Sequence, residues 1–562
     1  MGSLLMHPSA ALFAGAVLVA LLRGAPRSAF AVLAPAVALY LAFQLESGAH
    51  WQGEFLGMSI APFAVDALSR LFAIIFSLMA FAGALFGLNQ ERRLELPAAF
   101  VYAGSAIGVT LAGDLVTVFV FWEAMAIGST LVLWSAGSEL AYRASLRYLM
   151  VHLFGGMLLF AGVTGHVLDS GTTTFAAMEL GTVWQGLILA AFLVNAAAWP
   201  LSAWLPDAYP EASWSGMVFL SAFTTKTAVY VLLRGFPGTE LLVYVGLVMV
   251  FYGILYALLE NDMRRILAYS IVNQVGFMIT GIGIGTEIAL NGAAAHAFTH
   301  ILYKALLLMS AGSVLFVTGR RKCTDLGGLY RSMPLTAACG IIGALAISAF
   351  PLTSGFVSKS MIGQAAADGH LFIVWMLLAA ASAGVFLHAG IKFPWFVFFQ
   401  KDSGLRPPEP PWNMRAAMVL VSALCIGLGI FYEPLYGLLP YRVNYEPYTG
   451  FHVVSQLQLL LFSGLAFFVM LGWLRRTLTI SLDVDWTYRV LFPAILRRIG
   501  AVLERGLRAG SALSIAAARG LERWARYLHG PQGPLGRTWA SGAMGLGVML
   551  MLLGFLLSYY LV

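Results

Sequence analysis

Asn291–Ser310 reads NGAAAHAFTHILYKALLLMS, an apolar run interrupted by three titratable side chains. His296, His300 and Lys304 recur at i, i+4 and i+8, so on a helix they form one polar stripe along one face. A further apolar run, ALLLMSAGSVLFV, follows Lys304. A lysine near the middle of a membrane span is costly unless it faces protein or water, and such residues mark ion or proton paths by default. The plainer reading is a lysine snorkelling to a headgroup, with histidines satisfied by neighbouring carbonyls. It fits less well, because three titratable groups share the face and the lysine is central.

Composition sets the class. Of 562 residues, 60% are hydrophobic and only 10% charged, against roughly 25% charged in a soluble domain. Mean hydropathy is +0.83. The chain is an all-α polytopic membrane protein on this reading. Cys323, Cys339 and Cys425 show no metal-ligand or CxxC spacing, so neither a disulfide framework nor a metal site is expected. The net charge of +7 is topological and does not imply nucleic acid. The first apolar run lacks the charged start and small-residue cleavage site of a signal peptide.

With about 20 apolar residues per span, the chain divides into sixteen helices, over 4–22, 28–45, 63–88, 98–112, 115–135, 145–168, 183–205, 213–235, 240–260, 264–285, 290–318, 335–360, 371–399, 413–437, 453–475 and 538–562. Alternate sides can be tested with Lys and Arg alone. Fifteen basic residues from Arg23 to Arg415 and eleven more arginines from the end of the fifteenth helix onward fall on one side; the other carries Arg234 and Arg442. The basic side is expected to be cytoplasmic, which places both termini outside. Arg70, Lys226, Lys304, Lys359 and Lys392 fall inside or at the ends of spans. Arg70 is one turn after Asp66, and a structural ion pair is expected there.

Helix 5 carries Glu123 mid-span beside Trp122. A single carboxylate in lipid is neutral or paired, or makes a packing contact to a hydroxyl. Proline interrupts helix 7 at Pro200 and helix 12 at Pro351. Broken helices are tolerated where the break lines a cavity, and breaks at the fourth helix of two five-helix sets are a mark of inverted repeats; incidental kinks are the alternative. Lys226 is central in helix 8, and Lys359 ends helix 12. Helix 13 carries His388 and Lys392, and Lys392, beside aromatic residues, reads as an interface anchor. Residues 483–537 alternate apolar runs with arginine at helical spacing, an amphipathic helix or helix pair at the cytoplasmic interface. Gly500, Gly506, Gly510 and Gly520 argue against one rigid rod. A lateral arm along neighbouring subunits and plain attachment to anionic lipid are both open.

The stretches GDLVTVFVFWE, WPLSAWLPDAYPEA, LSAFTTKTAVYVLLR, ENDMRRILAYSIVNQVGFM, HAFTHILYKALLLMSAGSV and LGGLYRSMPLTAACGIIGALAISAFPLTSGFVSK closely resemble the antiporter-like subunits shared by Mrp-type multisubunit Na+/H+ antiporters and respiratory complex I, over about residues 60–400. LDVDWTYR and the last helix resemble the tail of larger members, especially the D-like chains of Mrp antiporters. The resemblance implies two inverted five-helix repeats and a hydrated polar axis at mid-membrane. It implies the segments 1–96 (N-terminal helices), 97–235 and 240–399 (the repeats), 400–482 (C-terminal helices), 483–537 (lateral segment) and 538–562 (final helix). By match it assigns Glu123, Lys226, His296, His300, Lys304 and Lys359 to a proton and ion path. His388 and Lys392 are possible accessories. Where the family usually carries a helix 7 lysine, this chain has Asn195. Either Glu123 works with Lys226 instead, or the entry path is altered or inactive.

The expected function is a proton- and cation-translocating subunit of a multisubunit monovalent cation/H+ antiporter in the cell membrane. Its partners would be other integral subunits, H+ with Na+ or K+, and anionic lipid at the lateral segment. The alternatives are a pump subunit of a complex I-like oxidoreductase or membrane-bound hydrogenase, and a scaffold in an inorganic-carbon uptake complex. No flavin, Fe–S or nicotinamide motif is present, so no cofactor is expected and any redox chemistry would belong to partners.

Overall fold

Long apolar runs bounded by capping residues become helices that satisfy their own backbone polar groups, as a bilayer requires. The computed structural model describes residues 6–473, 483–484 and 486–561. Leu482 and Asp485 of LDVDWTYR lie outside the described residues, as do the expected ends of helices 1, 15 and 16 at residues 4–5, 474–475 and 562. Twelve described helices are long and apolar enough to cross a membrane, and four shorter apolar ones accompany them.

In order these are α1 (Pro8–Leu21), α2 (Gly24–Phe43), α3 (Ala67–Phe86), α4 (Glu95–Leu111), α5 (Leu115–Ser135), α6 (Glu139–Ser170), α7a (Val183–Asn195) with α7b (Trp204–Ala208), and α8 (Gly216–Gly235). There follow α9 (Leu241–Leu259), α10 (Met263–Ile284), α11 (Glu287–Thr318), α12a (Pro334–Ile347) with α12b (Ser354–Asp368), α13 (Phe372–Phe399), α14 (Trp412–Ile430) and α15 (Gly450–Val469). These belong to a unit over Met1–Val484. A second unit, Asp485–Val562, holds α16 (Phe492–His529) and α17 (Ser541–Leu561).

The sequence reading places no strands, yet β1 (Gly48–Phe55) and β2 (Met58–Val65) form an antiparallel hairpin before α3. Its two-residue loop, Leu56–Gly57, has both φ values positive, 51° and 77°, the mirror-image turn that matches strand twist. Helix 3 therefore begins at Ala67 rather than at 63. The expected Asp66–Arg70 pair is corrected too. Asp66 caps α3 through a reciprocal box with Ser69 and pairs with Arg234. The cap uses the orphan N–H groups of the first turn, and Arg234 supplies the charge.

Both expected breaks occur, and they share one cap. In α7a the Ala197 N–H bonds the Val194 carbonyl at 3.1 Å and the Ala198 N–H bonds Leu193 at 3.0 Å. After α12a, Ala349 bonds Ala346 at 3.1 Å and Phe350 bonds Leu345 at 3.0 Å. This paired pattern ends a helix on a left-handed residue. Here that residue is alanine, at φ 58° and 55°, which costs about 1–2 kcal/mol relative to glycine.

α16 corrects the glycine argument. It is one helix of 38 residues running through Gly500, Gly506, Gly510 and Gly520, and it buries none of its residues within the chain. Each exposed helical glycine costs only about 1 kcal/mol. The pairs Glu504–Arg508 and Glu522–Arg526 lie across single turns and support the helix.

α10 is buried along nearly its whole length, and α9 packs against it without a side chain between them at Gly246 and Gly276. A Cβ on either glycine would stand 2.6 Å from the other's carbonyl oxygen. Small residues at such crossings let membrane helices approach backbone to backbone. Gly276→Leu should therefore force the helices apart and destabilise the fold by about 1–3 kcal/mol or more. A lowered unfolding temperature of the detergent-purified protein would show it, and an unchanged one would refute the packing.

Candidate functional site

The stripe on α11 is buried. His296, His300 and Lys304 are 0% exposed, and α10 and α12b supply their partners. Lys304 Nζ donates to Ser270 Oγ at 2.8 Å and reaches the Leu267 carbonyl at 3.5 Å. His296 has Gln274 Oε1 2.9 Å from Nε2 and Ser358 Oγ 3.1 Å from Nδ1. Tyr303 OH lies 3.3 Å from both Gln274 Oε1 and His296 Nε2. His300 stands between them with neither ring nitrogen hydrogen-bonded, its ring 6.3 Å from His296 and 5.2 Å from Tyr303.

Lys226 is equally buried. α8 is interrupted at Phe223, with φ −105° and ψ −69°. Nζ of Lys226 donates to the Ser221 carbonyl before the interruption at 2.8 Å, and to Thr225 Oγ1 at 3.1 Å. Lys359 on α12b makes no hydrogen bond; its ammonium sits 4.1 Å from the centre of the Phe277 ring. It lines a cavity of about 590 Å³ with Gln364, Asp368, Glu446 and His452. The contacts of all three ammonium groups named here are neutral oxygens or an aromatic face. Hydroxyls and carbonyls can hold such a charge without cancelling it, and an aromatic face adds a weaker attraction.

These groups form one electrostatic row. Lys304 acts on Lys226 and His300, Lys226 acts on His300 and His296, and Lys359 acts on His296. Glu123 is half-buried on α5, and its Oε1 is buried without a hydrogen bond. That oxygen packs on Gly156 of α6, where a Cβ would stand 1.9 Å away. Asn195 ends α7a with both amide atoms buried and unbonded, beside Gly155. Glu123 and Asn195 thus meet adjoining glycines of α6, and no hydrogen bond or ion pair joins Glu123 to Lys226.

The accessory residues separate. Lys392 is not an interface anchor. It is 4% exposed and donates to the carbonyls of Ala257, Leu258 and Glu260 at 3.0, 2.5 and 2.6 Å, closing the C-terminus of α9. Those carbonyls have no partner within their own helix, and a cation there is favourable. His388 lies in a π-helical stretch of α13, bonded through Nδ1 to the Gly384 carbonyl at 2.8 Å, with Lys304, Lys392 and Lys359 acting on it.

Several residues were missed by the sequence reading. Ser270, Gln274 and Ser358 are ordinary polar residues in apolar runs, and only packing shows their partners. His152 on α6 is 1% exposed with Nε2 unbonded; a lone histidine inside YLMVHLFGG was the available signal. Glu95 is fully buried in the first turn of α4, held by Gln90 at 3.2 Å, Ser135 at 3.0 Å and the Ser215 hydroxyl. Its place near a helix end hid it.

Residues 112–385 match the family described as NADH:quinone oxidoreductase/Mrp antiporter, TM. The chain is 30% identical over 414 residues to the D subunit of the Na(+)/H(+) antiporter of Alkalihalophilus pseudofirmus, covering 68% of this chain and 83% of that one. In fold it is similar to a chain of the Mrp complex from Dietzia sp., with TM-score 0.65, 20% identity and coverage of 77% and 92%. It is also similar to a chain of the membrane-bound sulfane sulfur reductase, an archaeal respiratory membrane complex, with TM-score 0.71, 23% identity and coverage of 98% and 99%.

Because Lys392 closes a helix, Lys392→Met should act on stability. Losing charge-assisted bonds to buried carbonyls costs about 2–3 kcal/mol. A lower unfolding temperature, with ion flux per assembled protein unchanged, is expected. Flux lost at unchanged stability would move Lys392 into the path.

Proposed function

The chain belongs to the NADH:quinone oxidoreductase/Mrp antiporter family, and from that premise we propose that it carries protons, in exchange for a monovalent cation, along Lys226, His300, Lys304, His296 and Lys359. It is a multi-pass, cation/H+ antiporter-type membrane subunit. Glu123 would load the row from one side, and Lys359 would deliver to the cavity at the other. Other integral subunits of a larger complex would be its partners, with both termini on the non-cytoplasmic side. The observation that carries the reading is the row itself: buried ammonium and imidazole groups with neutral contacts, ending at an unbonded ammonium on a cavity.

The physics of exchange follows from repulsion. Two like charges about 8 Å apart at an effective dielectric constant near 20 repel by roughly 2 kcal/mol. That is about a thirtyfold change in occupancy. Charging Lys226 therefore discourages charge on Lys304, and a proton leaving Lys304 makes room behind it. Proton positions in such a row belong to the group and not to single residues. His300, with two unbonded nitrogens between the lysines' fields, is suited to pass a proton without holding it. Cation entry near Glu123 would change the charge there and so bias the row.

A second reading is a pump subunit of a redox-linked complex, since the family's own description spans quinone oxidoreductases. There the same row would answer to a redox partner instead of a cation gradient.

The test is the Na+- or K+-induced pH change in everted vesicles expressing this chain with its neighbouring genes, beside Lys304→Ala. A cation-dependent signal reduced at least tenfold in the variant supports the proposal. Full exchange in Lys304→Ala would overturn it, and absence of any cation response in an assembled complex would favour the redox-linked reading.

A further inference from the structure

Lys226 donates to the Ser221 carbonyl and Thr225 Oγ1, Glu123 Oε1 is buried without a hydrogen bond, and no hydrogen bond or ion pair joins the two residues. We infer that His152 of α6 is the proton-carrying group that bridges Glu123 and Lys226; this rests on the proton path proposed above.

Four observations converge on that ring. Its position comes first: His152 is one helical turn before Gly156, against which Glu123 Oε1 packs, and so shares that face of α6. Its hydrogen bonding comes second. Nδ1 lies 2.9 Å from the Tyr148 carbonyl. A carbonyl only accepts, so Nδ1 carries the hydrogen and the neutral ring keeps its lone pair on Nε2. That nitrogen is buried and unbonded, whereas buried polar atoms are almost always bonded. The ring therefore holds a free base ready for a proton.

Third, aromatic rings surround it. Tyr148 stacks on it at 3.9 Å and Trp204 of α7b crosses it at 4.6 Å and 81°. Aromatic faces attract a cation most when water is excluded, which offsets part of the cost of charging the imidazole. Fourth, a hydroxyl cluster leads onward. Tyr148 OH donates to Ser129 Oγ at 2.9 Å and lies 3.3 Å from Thr224 Oγ1, which is 2.6 Å from Tyr102 OH. Thr224 follows the α8 interruption, two residues before Lys226. Hydroxyls both donate and accept, so such a cluster can be re-polarised as a proton passes.

Charged groups on the neighbouring elements leave the ring uncompensated. α5 contributes Glu123, α7a none, and α8 Lys226 near this end. Asp207 of α7b is paired with Arg147 of α6, and Glu211 beyond it with Arg321. The balance of the step is simple. Glu123 gives a proton to Nε2, Nδ1–H stays on the Tyr148 carbonyl, and the proton on Nε2 next passes to the hydroxyl side and Lys226.

The test uses the full complex in everted vesicles, with Na+ or K+ as the probe, and two variants. His152→Phe keeps the stacked ring, and His152→Gln keeps a polar side chain; neither takes a proton. Both are expected to assemble and to lose at least tenfold in the rate of cation-induced pH change, with the cation concentration for half-maximal signal within twofold of wild type. If either, assembled at the wild-type level, exchanges at more than half the wild-type rate, the inference falls. Failure of both to assemble would assign the ring to packing and also overturn it. Lys304→Ala measured alongside separates the two levels: if it too exchanges normally, the proposed path itself fails, and if it alone is inactive, only the role of His152 is lost.

Discussion

A buried ammonium group needs oxygen atoms around it, and for Lys304 the oxygens come from α10. Ser270 and the Leu267 carbonyl hold Lys304, and Gln274, one turn on, holds His296. Without those contacts a charge at the core of a bilayer protein costs several kcal/mol. The constraint propagates outward. α10 must be buried on all sides, so α9 must approach it closely, and glycine at 246 and 276 permits that approach. α9 must then end inside protein, and Lys392 closes its carbonyls.

The neutrality of these contacts matters as much as their presence. A carboxylate beside Lys304 would hold its charge permanently, whereas a serine hydroxyl solvates the charged form and also tolerates the uncharged one. Neighbouring charges then decide occupancy. Lys359, against the face of Phe277 and open to a cavity, is the least tightly held of the three lysines in the row. The interruption in α8 serves the same need by presenting the Ser221 carbonyl to Lys226.

The two halves differ in how they are wired. Around α11 both histidines are within the field of neighbouring lysines. Around α6 the polar atoms of Glu123, Asn195 and His152 are buried singly, on adjoining turns, with glycines making room.

Local pattern was enough to recognise the membrane class, most helix positions, the proline breaks and the charged stripe on α11, because each rests on residues within a few turns of one another. The hairpin at 48–65 escaped because its alternation is weak and its turn places a leucine at positive φ. Partners escaped for a different reason. Asp66 and Arg70 stand one turn apart, yet Asp66 pairs with Arg234, far along the chain. Lys392 reads as an anchor until α9 is seen to end against it, and His152 reads as one more residue of an apolar run until Tyr148 and Trp204 are placed against it. Apolar helix faces are nearly interchangeable in sequence, so periodicity says which residues form a helix but not which helix stands beside it. The sequence by itself determined where charge is buried in this protein; only the tertiary structure decided what each charge meets, because those contacts join residues from separate helices.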